Sequence, residues 1–214
     1  MESEIVLGMK PAEELRKVSS NLFCWSSVHA QWKIDFDSYA LKTSDGVVFI
    51  DPLKPSPALT EKLEALGEPI AVLLTNAHHE RDADWFRKRY EIQIYAHEQA
   101  PHDCDIKIDV LVLNGEKLPG GLKAIHLPGA TASETAYYAK SRGGIVLVGD
   151  ALLRLPNNKL ALLPAQYIED RKQTIQSLRK LLDLDFKVMT FAHGDPIVGN
   201  AKRKIAAFLK RPSG

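Results

Sequence analysis

Five consecutive residues with ionisable side chains follow a short apolar run, and they are the strongest chemical signal in the sequence. They are His78, His79, Glu80, Arg81 and Asp82. The apolar residues 71–74 are too few for a helix and predict a buried strand. Imidazole and carboxylate groups are metal ligands, and α/β proteins place their chemistry at the carboxyl ends of buried strands. The stretch therefore predicts a functional site.

The same stretch resembles the metal-binding motif of the metallo-β-lactamase superfamily. That family carries Thr-His-x-His-x-Asp-His between a buried strand and a helix. The matching positions here read Thr75-Asn76-Ala77-His78-His79-Glu80-Arg81. Asn is a poor zinc ligand and Arg is a permanent cation without a free lone pair, so two of the four ligand positions are lost.

Three further family marks follow in the family's order. Residues 128–131, Pro-Gly-Ala-Thr, are similar to the Pro-Gly-His-Thr element, whose zinc-binding His is replaced here by Ala130. Residues 148–150 match the strand end that carries the bridging Asp, here Asp150, and His193 matches the last ligand. The resemblance covers roughly residues 38–196.

By this resemblance the metal centre is degenerate. The two sets of ligand positions hold Asn76, His78 and Ala130 for the first metal, and Glu80, Arg81, His193 and Asp150 for the second. Zinc needs three or four strong protein ligands. No cofactor is therefore predicted. The alternative is a single zinc, manganese or iron ion held by Glu80, Asp150 and His193, with His78.

Three functions remain open at this point. The leading interpretation is a non-hydrolysing relative that binds a small-molecule ligand or a protein partner in the former active-site pocket. The alternative is a mononuclear hydrolase of a thioester, lactone or phosphoester that uses Glu80, Asp150 and His193. The third is a subunit whose fold only provides an interaction surface. Metal content separates the second from the others.

Arg81 occupies the position of a former metal-binding His beside two acids. A guanidinium can replace the charge of a lost metal ion, so an ion pair between Arg81 and Asp150 or Glu80 is predicted. The remaining histidines are assigned no ligand role. His79 is predicted to lie at the surface or behind the ligands, and four others are predicted to be structural or solvated: His29, His97, His102 and His126.

Alternating and helical patterns predict two β-rich halves, each followed by helices. Residues 44–46 predict a hairpin turn, and Ser56 predicts the N-cap of a helix over residues 56–66. Glycine- and serine-rich linkers are lacking, which predicts a single domain over residues 1–214. The fold class is α/β, an αββα sandwich of two mixed β-sheets flanked by helices.

Composition excludes several classes of partner. The net charge of +1 gives no field that would attract nucleic acid or an anionic membrane. Residues 1–10 lack the pattern of a secretory signal, and no apolar run is long enough for a membrane span. Cys24 and Cys104 lack disulfide spacing. A cytoplasmic protein with two unlinked thiols is predicted, of unknown oligomeric state.

Overall fold

Two β-sheets face each other in this protein, and helices cover the outer face of each. The computed structural model describes residues 11–29 and 34–210. Residues 1–10, on which the prediction of no secretory signal rests, lie outside this range. None of the helices in the described part of the chain is long and apolar enough to cross a membrane.

The larger sheet has its described strands in chain order. They are β1 (Arg16–Lys17), β2 (Leu22–Val28), β3 (Asp35–Lys42), β4 (Val47–Ile50), β5 (Pro69–Leu73), β6 (Gln93–His97) and β7 (Val110–Val112). Strands β1 to β4 pair antiparallel, whereas β4 to β7 pair parallel. The sheet is therefore mixed.

The remaining strands form a second mixed sheet and a small hairpin. They are β8 (Lys123–His126), β9 (Thr135–Ala139), β10 (Ile145–Leu147), β11 (Leu153–Arg154), β12 (Leu160–Ala161) and β13 (Val188–Thr190). The second sheet has the order β13-β10-β9-β8, in which only the β10–β13 pair is parallel. β11 and β12 pair with each other.

In the described part of the chain, four α-helices cover the outer faces of the sheets. They are α1 (Pro57–Glu64), α2 (Ala83–Tyr90), α3 (Arg171–Arg179) and α4 (Ala201–Leu209). The period of two along β4 assigns its side chains to layers. Val48 and Ile50 pack between the sheets, whereas Val47 and Phe49 pack against α1 and α2. Both faces are buried, and β4 is accordingly apolar throughout.

The predicted αββα sandwich is confirmed, as are the predicted N-cap at Ser56 and the two unlinked thiols. Ser56 accepts a hydrogen bond from the backbone N–H of Leu59 at 3.3 Å and begins α1. Cys24 and Cys104 are both free. The β11–β12 hairpin is not among the sequence-based predictions. Two-residue strands give too short a pattern for period-two alternation to be recognised.

Candidate functional site

The carboxyl ends of two parallel strand pairs, one in each sheet, meet at one edge of the sandwich. β4 and β5 end beside Asp51 and Thr75 in one sheet, and β10 and β13 end beside Asp150 and His193 in the other. Gly149 lets the two sheets approach here. A Cβ atom at this position would lie 2.3 Å from Thr75 Oγ1, so glycine is required for the close contact.

His79 lies at the centre of this edge and is only 3% exposed. It ends the 3₁₀ turn Ala77–His79 between β5 and α2. Its Nδ1 lies 3.0 Å from Asp51 Oδ2 and 2.8 Å from Thr75 Oγ1. A carboxylate only accepts, so Nδ1 carries the proton. The Nε2 atom of His79 then faces Asp150 Oδ2 at 3.4 Å.

His193 approaches Asp150 from the other sheet. Its Nδ1 donates to the backbone carbonyl of Asp35 at 2.7 Å, and its Nε2 lies 3.5 Å from Asp150 Oδ1. The ring packs edge-on against Phe36, with the ring centroids 4.7 Å apart. Both imidazoles therefore direct Nε2 toward the same carboxylate.

Asn76 and Glu134 lie behind Asp150. The Asn76 side-chain amide donates to Glu134 Oε2 at 3.0 Å and to Asp150 Oδ2 at 3.3 Å. The backbone N–H of Ala151 donates to Glu134 Oε1 at 3.1 Å. Asp150 Oδ1 is buried without a hydrogen-bond partner in the described residues. A buried carboxylate oxygen of this kind calls for a cation or a proton donor.

Burial and the neighbouring charges shift the pKa values of four groups at the site. Burial and the neighbouring Asp150 raise the pKa of Glu134 to about 8. Burial opposes ionisation of His79, but Asp150 and Asp51 outweigh it and raise its pKa to about 9. Burial lowers the pKa of His193 to about 4. Burial also opposes ionisation of Asp150, yet chiefly His79 holds its pKa well below the usual range.

These pKa shifts define the protonation states near neutral pH. Without a bound cation, His79 is an imidazolium between two carboxylates, and Glu134 is largely neutral. His193 is a neutral imidazole whose free lone pair is on Nε2, because Nδ1 donates to a carbonyl. His193 can therefore bind a metal ion directly, whereas His79 must first release a proton.

The donor set at this edge fits a metal ion. One ligand atom each from His79, Asp150 and His193 lies within 4.8 Å of the others. His79 Nε2 lies 3.4 Å from Oδ2 of Asp150 and His193 Nε2 lies 3.5 Å from Oδ1, so each imidazole faces its own oxygen of one carboxylate, and two imidazoles with a carboxylate form a common zinc donor set. Each ligating His should donate its other N–H to a carboxylate or carbonyl, as both do here.

Arg81 lies near the site but in a different arrangement from the predicted one. It is 6% exposed, and its Nη1 donates to the backbone carbonyls of Asp37 and Asp51 at 2.7 and 2.9 Å. Among the described residues it forms no ion pair with Asp150 or Glu80, so that prediction is wrong. Arg81 has a φ of 40°, and its side chain runs toward β3 and the end of β4.

The other site residues predicted from the sequence do not all lie together in the structure. Glu80 is buried away from Asp150, and its Oε2 accepts from the backbone N–H groups of Asp105 and Ile106 at 2.8 and 3.2 Å. His78 is exposed and lines a cleft, as does the buried Ala130. The geometry thus groups Asn76, Asp150 and His193, leaves Glu80 outside, and places His78 at the rim.

Four residues at the site are absent from the set of sequence candidates: Asp51, Thr75, His79 and Glu134. Asp51 and Thr75 could have been recognised from the sequence, because each follows a predicted strand and parallel strands end at the same edge of a sheet. His79, predicted to lie at the surface or behind the ligands, is buried and is itself in the donor group. Glu134 stands alone as an acid before a strand, and no local pattern identifies it.

The cleft in front of the site has a volume of about 1340 Å³. Its floor contains His79, Asp150 and His193, and one of its walls is the β11–β12 hairpin. Arg154 fixes this hairpin to the His193 loop. Its backbone N–H donates to the His193 carbonyl at 3.2 Å, and its Nη1 donates to the Asp195 carbonyl at 2.8 Å.

Known structures share this architecture at low sequence identity. The DIM-1 metallo-β-lactamase is 14% identical with a TM-score of 0.76, covering 94% of this chain and 98% of its own. A metallo-β-lactamase from Pontibacter korlensis is 17% identical with a TM-score of 0.72, covering 92% and 96%. FIM-1 from Pseudomonas aeruginosa, in its mono-zinc form, is 15% identical with a TM-score of 0.67, covering 94% and 96%.

Sequence comparison identifies the family directly. Comparison with curated proteins gave no match. The profile of the metallo-β-lactamase superfamily matches residues 15–207, which is most of the chain. The chain therefore belongs to the metallo-β-lactamase superfamily.

Proposed function

We propose that this protein is a hydrolase that uses a single metal ion held by His79, Asp150 and His193. The observation that carries the proposal is the direction of the two imidazoles. Both have Nδ1 tied to an acceptor, so both Nε2 atoms face the Asp150 carboxylate. His79 takes the place of Glu80 in the ligand set expected from the sequence.

A bound zinc, manganese or iron ion would act as a Lewis acid that polarises a substrate carbonyl and lowers the pKa of water. The protein residues orient the ligands. Asp51 holds the His79 ring by its Nδ1–H, and the Asp35 carbonyl holds the His193 ring in the same way. Asn76 fixes Asp150 through a hydrogen bond that its side-chain amide donates to Oδ2.

Glu134 is the group best placed to hold a proton behind the site. Burial and Asp150 raise its pKa to about 8, so it is protonated at neutral pH and can give up that proton when a cation binds. Its Oε2 is linked to Asp150 through the Asn76 amide. Loss of the proton would balance part of the charge that a divalent ion brings.

A non-hydrolysing binding protein is the second candidate, and the charge balance of the site favours it. The His79 imidazolium already lies between Asp51 and Asp150, so these acids have a counter-charge without a metal ion. Arg81 adds a buried positive charge that disfavours a cation nearby. On this hypothesis the cleft binds a small molecule without cleaving it.

Metal content and metal-dependent turnover decide between the candidates. Protein purified without chelator or added metal should contain about one equivalent of zinc, manganese or iron, as a three-ligand site holds. Hydrolysis of p-nitrophenyl acetate should disappear on dialysis against a chelator and return with the same metal. Well under one equivalent, with no turnover in the presence of added metal, would support the binding protein.

His79→Ala and His78→Ala form a matched pair for the ligand assignment. The two residues are adjacent, but His79 is buried at the site and His78 is exposed at the rim of the cleft. His79→Ala should lose both metal and turnover, whereas His78→Ala should keep the metal. The reverse result would restore the ligand set read from the sequence and overturn the proposed one.

A further inference from the structure

The β11–β12 hairpin presents an apolar surface to the cleft. Leu153 and Ala161 form a cross-strand pair and line the cleft, and Leu155 and Leu163, just beyond the two strands, line it as well. On the opposite face of the strands, Leu160 packs against the core around α3 and α4. The hairpin is therefore supported from behind and apolar in front.

Large apolar side chains on this surface are open to solvent. Leu155 is 39% exposed and Tyr167, which follows the hairpin, is 63% exposed. Both line the same cleft as His193. Exposed apolar surface next to a concave polar site is typical of ligand-binding pockets, which enclose apolar groups and use a few polar groups for orientation.

The charges around the cleft disfavour an anionic ligand. Among its described lining residues, five acids stand against two arginines and the His79 imidazolium; the acids are Asp35, Asp37, Asp150, Glu169 and Asp195, and the arginines are Arg16 and Arg154. Both arginines are already occupied. Arg16 pairs with Asp195 at 3.0 Å, and Arg154 donates to backbone carbonyls. Phosphate recognition needs free cationic donors, so a phosphoester fits this cleft poorly.

We propose that the β11–β12 hairpin is an apolar acyl subsite and that the substrate is a neutral ester, thioester or lactone with an apolar chain. The apolar chain of the substrate would lie along Leu153, Leu155 and Leu163. Its carbonyl group would face His79, Asp150 and His193. The substrate class rests on the proposed hydrolase. The subsite itself requires only the cleft, whose volume of about 1340 Å³ leaves room for a chain beside the carbonyl.

Binding of neutral ketones tests the subsite without turnover. 2-Octanone and 2-butanone share a carbonyl and differ by four methylenes, and neither can be hydrolysed. Calorimetric titration of protein treated with chelator should give at least about tenfold tighter binding of 2-octanone, because the added methylenes leave water for an apolar wall. Equal affinities would overturn the subsite.

Two variants test whether the apolar chain of the ligand lies against the hairpin. Leu155→Asp should abolish the preference for 2-octanone. Leu111→Asp is the matched control, because Leu111 is 52% exposed on β7 and does not line this cleft. Tyr167→Ala provides a second exposed substitution should Leu155→Asp fail to fold, and it should reduce the preference. A preference that survives both Leu155→Asp and Tyr167→Ala would place the ligand elsewhere and refute the proposal.

Ester turnover separates this inference from the proposed function. With p-nitrophenyl esters of increasing chain length, kcat/KM should rise from acetate to octanoate by about tenfold or more, following the binding energy of the chain. If no ester is hydrolysed but the ketone preference persists, the hydrolase fails and the subsite stands. If esters are hydrolysed without dependence on chain length, the hydrolase stands and the subsite fails.

Discussion

The Nδ1 atom of His79 lies 3.0 Å from Oδ2 of Asp51, and this contact decides which nitrogen of His79 faces the site. Asp51 is itself held by Thr75, whose backbone N–H donates to Oδ1 at 2.8 Å and whose hydroxyl donates to Oδ2 at 2.6 Å. A carboxylate that fixes the tautomer of a metal-binding imidazole also raises its basicity. Asp51 is thus a positioning residue for His79.

Asp51→Asn should weaken metal binding by about 10- to 100-fold. The side-chain amide of this variant can still accept a hydrogen bond from the His79 ring. It carries no negative charge, so the support that Asp51 gives to a bond between His79 and the metal is lost. Competition against a chelator of known affinity measures the change. Asp45→Asn, at the exposed turn between β3 and β4, is the control and should bind as the wild type does. Unchanged affinity in Asp51→Asn would show that Asp51 does not support metal binding.

Arg81→Met should lower the stability of the fold and raise metal affinity. Two backbone carbonyls lose their buried donor, which costs about 1–3 kcal/mol. At the same time the site loses a fixed positive charge. Urea denaturation and chelator competition measure the two effects. Arg81→Lys keeps the charge, so it should lower the stability without raising the metal affinity. Equal metal affinity in both variants would mean that the charge at position 81 does not affect metal binding.

Glu80→Ala should destabilise the protein and leave the metal site intact. Glu80 Oε2 accepts the backbone N–H groups of Asp105 and Ile106, and leaving these donors without a partner costs about 1–3 kcal/mol. Metal content should equal that of the wild type. Glu80→Gln retains an acceptor and should lose less stability. Loss of the metal in both variants would support Glu80 as a ligand, as the sequence motif implied.

The metal-free protein should become less stable as the pH rises from 6.5 to 9. The folded state raises the pKa of His79 from 6.5 to about 9 and that of Glu134 from 4.5 to about 8. Both groups therefore bind their proton more tightly when folded. Their contribution is complete below the unfolded pKa and is lost as the pH passes the folded pKa. The loss for the two groups together should be on the order of 4 kcal/mol.

Urea denaturation of chelator-treated protein at several pH values measures this dependence. His79→Gln removes one of the two titrating groups, so its stability should change less steeply over the same range. A wild-type stability that is constant between pH 6.5 and 9, the ordinary and shifted values for His79, would contradict the proposed charge arrangement.

The sequence by itself determined the layers of the fold. Side chains alternate between the two faces of a strand, so four consecutive apolar residues require a strand buried on both faces, and Val47–Ile50 is that strand. Ser56 and the leucine spacing after it determined α1. The family marks at Asp150 and His193 also follow from sequence, because each stands at the end of an apolar strand. These patterns depend only on residues that are close in sequence, so they can be recognised without knowledge of tertiary contacts.

Only the tertiary structure decided which of two adjacent histidines enters the site. His78 and His79 differ by one step in a 3₁₀ turn, in which successive side chains point about 120° apart. The rotation of that turn is set by distant residues. Ser133 Oγ accepts the backbone N–H of Ala77 at 3.0 Å, and Asp51 holds the His79 ring. These contacts join segments that are far apart in sequence, so no local pattern could indicate that His79 faces inward.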